Sequence, residues 1–72
     1  MDTFMAVNAE PGDRIRNRHK ALDPEEFTVE GSEQFRAFHT EDRPEGLPMV
    51  RLWGEGQTLT LRVEEPVIFL DF

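Results

Sequence analysis

Arg14, Arg16, Arg18 and Lys20 recur at strict two-residue spacing and hold four of the chain's eight basic side chains within seven positions. A strand turns alternate side chains to one face, so this spacing predicts a positive stripe, with Ile15, Asn17 and His19 on the opposite face. Outside residues 14–20, four basic residues stand against fifteen acidic ones, a net of -11. The stripe is therefore an electrostatic exception. Arginine carries a fork of donors suited to two-point pairing with phosphate or carboxylate. The stripe thus reads either as contact with phosphate or an acidic partner, or as pairing with Glu25, Glu26 and Glu30 on a neighbouring strand. Cross-strand charge pairs are a common unit of sheet stabilisation.

Other chemistry is sparse. His19 and His39 are the only imidazoles, and neither lies in an HxxxH or HExxH spacing. The chain has no cysteine, which removes thiolate catalysis, disulfides and thiolate-rich zinc sites together. Glu25-Glu26 and Glu64-Glu65 are adjacent pairs that point to opposite sides of a strand, so neither forms an acid–base dyad. No GxSxG, P-loop or dinucleotide fingerprint occurs. The expectation is a non-enzymatic protein with no cofactor and no metal.

Trp53 precedes Gly54-Glu55-Gly56, at the edge of a predicted turn. Tryptophan is enriched at interface hot spots, yet a short chain also needs its largest apolar side chain as core. Residues 41–48, EDRPEGLP, form the longest predicted loop and carry Arg43; such loops hold function more often than strands do. The candidate partner-binding set is therefore Arg14, Arg16, Arg18, Lys20, Arg43 and Trp53.

The elements that must position these residues read as strands. Val50 and Leu52, then Leu59, Leu61 and Val63, alternate with Arg51, Thr60 and Arg62, so one face is buried and the other wet. Strands are predicted at about 14–20, 27–30, 49–53, 57–63 and 67–71, with Pro66 at the start of the last, where a missing amide donor costs least. Residues 33–40 fit either a short helix capped by Ser32, with Phe35 and Phe38 on one face, or a strand in a hairpin with 27–30. The strand is preferred. Residues 1–10 show no clean period and read as an irregular first strand or an ordered tail.

Seventy-two residues make one small domain, which buries only about 60% of the surface its unfolded chain exposes. A deep catalytic cavity is not expected. Five or six short strands predict an all-β fold, a small barrel or a compact antiparallel sandwich, with the barrel preferred because closure removes uncovered edges. No segment has the roughly 18 to 20 consecutive apolar residues of a membrane span, and Asp2 replaces a basic leader. A cytoplasmic location without membrane contact is the expectation.

Pro11-Gly12-Asp13-Arg14-Ile15, a loop, and then Phe27-Thr28-Val29 resemble the first hairpin of SH3-like barrels, including KOW and Tudor-type modules. The resemblance covers residues 11–30 and implies a five- to six-stranded SH3-like barrel. The chain lacks the glycine-rich continuation of the KOW pattern, with Ala21-Leu22-Asp23-Pro24 in its place, so the RNA and ribosome contacts of that family do not carry over. The composition, with net charge -7 and seven arginines to one lysine, resembles that of halophilic archaeal proteins, in which hydrated carboxylates keep a surface soluble at molar salt. A GC-rich genome would also favour arginine over lysine.

These readings converge on an interaction module or adaptor for a protein partner. Two alternatives use the same features: a nucleic-acid-binding barrel with Phe35, Phe38 or Trp53 as a stacking platform, and a homodimer formed through an uncovered sheet edge. In molar salt, four phosphate contacts would lose roughly four to five orders of magnitude in affinity relative to physiological salt.

Overall fold

The computed structural model describes residues 2–19, 21 and 23–70. Seven strands account for its regular structure: β1 (Asp2–Met5), β2 (Arg14–Arg16), β3 (Glu26–Thr28), β4 (Gly31–Ala37), β5 (Leu47–Gly54), β6 (Gln57–Arg62) and β7 (Pro66–Phe69), with one 3-10 turn at Ala6–Asn8. The all-β expectation holds. The strands form two antiparallel sheets, one of four strands in the order β1-β7-β2-β3 and one of three in the order β4-β5-β6. They do not close into a barrel.

The alternation in the C-terminal half converts directly into the β5–β6 hairpin. Val50 and Leu52 lie opposite Leu61 and Leu59, and this face joins Ile15, Phe27, Val29, Val67 and Phe69 in the core. Full burial of each such side chain is worth about 1.5 to 3 kcal/mol, so the face decides the register. Glu55 and Gly56 both have positive φ, 52° and 74°, the two-residue geometry that matches strand twist in a tight hairpin. Pro66 opens β7 as expected, and β7 sits between β1 and β2 with Val67 and Phe69 buried.

Of the two readings of residues 1–10, residues 2–5 take the strand, paired with β7. Other expectations are corrected. The first charged strand ends at Arg16, not residue 20, where the side chain of Asn17, on the inner face with Ile15, is taken up by the loop that follows: it is only 4% exposed, its Nδ2 donates to the Pro24 carbonyl at 3.4 Å and its Oδ1 accepts from His19 N at 3.1 Å. A buried amide must find partners, and here they tie the ends of the following loop together. Residues 31–37 are a strand as preferred, but not in a hairpin with 27–30. The chain instead bends at Val29 and Glu30, leaving β3 in the first sheet, and β4 pairs with β5 from Gly31↔Trp53 to Ala37↔Leu47.

The bend brings the sheets into backbone contact. Glu30 N donates to the Trp53 carbonyl at 2.8 Å, while Gly12 N to Val29 O and Val29 N to Asp13 O, both 2.8 Å, extend the β2–β3 ladder toward the bend.

Candidate functional site

The charged first strand is built as an ion-pair cluster. Arg14↔Thr28 and Arg16↔Glu26 are register partners on β2 and β3, which places Glu26 within reach of both guanidinium groups. Arg14 Nη2 meets Glu26 Oε1 at 2.9 Å and Arg16 Nη2 meets Glu26 Oε2 at 3.0 Å. Arg14 Nη1 also donates to Thr28 Oγ1 at 3.0 Å and to Glu55 Oε2 at 3.3 Å. Hydrogen bonds from Arg14 and then Arg16 hold the Glu26 carboxyl below its usual range. The bond to Glu26 correspondingly raises the Arg14 pKa.

Glu55, in the β5–β6 turn, completes this cluster from the other sheet. Its Oε2 accepts from Thr28 N at 2.7 Å, and its own amide donates to Glu30 Oε2. Charge pairs here cross between sheets, not only between neighbouring strands. Of the remaining basic candidates, Arg18 is exposed in the bend after β2, and Lys20 lies outside the described residues. Arg14 and Arg16 share a strand face that Arg18 does not extend.

A different surface lies on the side of the three-stranded sheet turned away from the core. Along β5, Met49, Arg51 and Trp53 alternate with the core residues Val50 and Leu52; opposite them stand Phe35, Glu33 and Gly31 of β4, and Arg62, Thr60 and Thr58 of β6. Trp53 remains 37% exposed and packs its ring against Gly31, where a Cβ would come within 2.6 Å of the indole. An aromatic laid over an edge glycine covers backbone that would otherwise be bare. The Arg51 guanidinium sits 4.6 Å from the Phe35 ring centroid and also bonds Glu33, a cation–π contact combined with a carboxylate pair. Met49 is buried yet stands outside the core cluster. Alternation with Val50 and Leu52 sets its facing direction, and the register places Phe35 beside it.

Arg43 lies in the loop between β4 and β5, where it lines a cleft of about 330 Å³ with Phe38, Thr40, Asp42 and Leu47. A second cleft, of about 430 Å³, is lined by Phe4, Asn8, Glu10, Asp13 and Phe69. His39 Nδ1 lies 2.9 Å from the Pro44 carbonyl. Among the described residues, no group of three or more His, Asp or Glu side chains is arranged to hold a metal ion, and no helix is long and apolar enough to cross a membrane.

Glu55 is the residue that sequence reasoning missed; its position in a predicted turn was visible, but its reach across to β3 depends on how the sheets stack. No known family, curated protein or solved structure matches this chain.

Proposed function

We propose that this chain is a non-enzymatic protein-interaction module that engages its partner through the outer face of the three-stranded sheet. The observation that carries the reading is the outer-face group of Arg51, half-buried Phe35 and partly exposed Trp53, with Met49 buried beside them. Aromatic and arginine side chains at the centre of such a patch are the residue types that dominate binding energy at protein interfaces. The strand order supports an SH3-like assignment: a β2–β3 hairpin, a bend into a three-stranded meander, and a final strand returning beside β2.

The nucleic-acid reading is weaker on this geometry, because phosphate would have to displace Glu26 from both Arg14 and Arg16. Affinity capture in native salt, with and without nuclease, tests the proposal when wild type is compared with Trp53→Ser and Arg51→Ala. A discrete protein that survives nuclease and is lost from both variants is the expected outcome. Nuclease-sensitive recovery, or capture indifferent to both substitutions, overturns it.

A further inference from the structure

The loop between β4 and β5, residues 38–46, is held by its own hydrogen bonds. Thr40 N donates to the Arg43 carbonyl at 3.1 Å, and Arg43 N donates to the Thr40 carbonyl at 3.2 Å and to Thr40 Oγ1 at 3.0 Å. Gly46 N donates to the Arg43 carbonyl at 3.0 Å, and the Arg36 guanidinium donates to the Gly46 carbonyl at 3.2 Å. Gly46 takes φ 74°, and a Cβ there would fall 2.7 Å from the Ala37 carbonyl. Such a loop arrives at a partner already ordered, which lowers the entropic cost of binding.

Phe38 starts this loop with φ 58° and is 66% exposed, the largest exposure among the large apolar side chains of the described residues. A left-handed backbone favours glycine and penalises a bulky residue. Folding alone would be better served by glycine at this position, since the ring is mostly in solvent and the backbone is strained. Strain at an exposed aromatic points to a use outside the fold.

The surroundings say what that use is. Phe38 and Leu47 give the cleft apolar walls, and Asp42 gives it a carboxylate. Within the loop, Glu41, Asp42 and Glu45 stand against Arg43, with Arg36 at its base bonded to the Gly46 carbonyl, and no ion pair among the described residues engages any of the three carboxylates. The whole chain carries -7, which disfavours a second copy at low salt and favours a basic partner.

We propose that the tip of this hairpin docks a basic, partly apolar polypeptide segment, with the stem of an arginine or lysine between Phe38 and Leu47 and its cationic head at Asp42. A long basic side chain buries its stem on apolar surface while its charge stays at a polar rim. Arg43 on the cleft wall opposes a uniformly positive segment and donates to a backbone carbonyl of the bound one. This inference rests on the protein-binding reading and adds a second contact with a stated partner chemistry.

The test is an amide NMR titration of the full chain with acetylated, amidated dodecapeptides of repeating Arg-Ala-Leu, alongside versions with glutamate for arginine or serine for leucine. Shifts confined to residues 38–47, seen with the Arg-Ala-Leu peptide and weakened about tenfold or more by either replacement, are expected. Phe38→Gly should melt at or above the wild-type temperature while losing about tenfold or more in affinity, and Asp42→Asn should weaken binding without changing the fold. Absence of shifts at the tip, or equal binding by Phe38→Gly, overturns the proposal. Shifts at the Trp53 indole with none at the tip overturn it while leaving the outer-face reading standing. Concentration-dependent shifts at the tip without peptide assign it to self-association and overturn it as well.

Discussion

Gly54 on β5 lies against the backbone of Thr28 on β3 so closely that a Cβ on Gly54 would fall 1.9 Å from the Thr28 carbonyl oxygen. No side chain fits, and the obstacle is backbone from the other sheet. Gly54→Ala is therefore expected to force the sheets apart and cost about 3 kcal/mol or more, at the upper end for overpacking. Gly56→Ala supplies the contrast: its Cβ would meet nothing within 4 Å, so only its positive φ is penalised, at about 1 to 2 kcal/mol. Urea unfolding of both variants checks this, and equal losses would mean that Gly54 is not the sheet junction.

The Glu26 carboxyl joins two arginines, and its stability contribution follows from the direction of its shift. Its folded pKa lies below the usual value of 4.5 because Arg14 and then Arg16 hydrogen-bond the ionised form. Such a group stabilises fully above the unfolded pKa and loses that contribution as pH falls through the lower, folded value. Glu26→Gln is thus expected to melt below wild type at neutral pH, with the difference shrinking only below about pH 4.5. Thermal melts of both proteins from neutral pH to about pH 3 decide it. A constant difference across that range would show that the carboxylate charge is irrelevant.

Much of this fold is written in local periodicity, and the parts that are not depend on contacts distant in sequence. Alternation at Val50, Leu52, Leu59 and Leu61 identifies both the strands and their buried face, because period two is a property of the chain itself. The pairing of Arg14 and Arg16 with Glu26 was one of two readings of their spacing. Choosing between them required the β2–β3 register, which spacing alone does not contain. The partner of β4 was misread for the same reason: a Gly31-Ser32 pair looks like a hairpin turn, yet Glu30 N bonds to Trp53 across the sheet junction instead. Barrel closure follows from the need to hide edges, yet the strands form two open sheets in which β1, β3, β4 and β6 remain terminal strands.

Trp53 on Gly31 offers a spectroscopic handle on the candidate binding face. A methyl at Gly31 would come within 2.6 to 2.9 Å of three indole atoms, but the ring is partly exposed and has solvent to move into. Gly31→Ala is therefore expected to cost about 1 kcal/mol, the low end for overpacking. The emission of this single tryptophan should shift to longer wavelength as the ring leaves its seat. Unchanged emission in a folded variant would show that the indole does not rest on the glycine.

Salt response separates two opposed electrostatic terms. The ion pairs Arg14–Glu26, Arg16–Glu26 and Arg62–Glu64 have side chains that are a quarter or more exposed; such surface pairs contribute little and weaken as salt screens them. Against this, the charge of -7 repels itself in the compact state, and screening relieves that repulsion while salting-out strengthens apolar burial. With fifteen carboxylates against eight basic groups, relief should exceed the loss. The melting temperature is expected to climb from low to molar KCl, with the larger part of the rise at low salt if repulsion dominates and a continued rise at molar salt if burial does. A flat or falling curve would remove the physical basis for reading the acidic composition as an adaptation to salt.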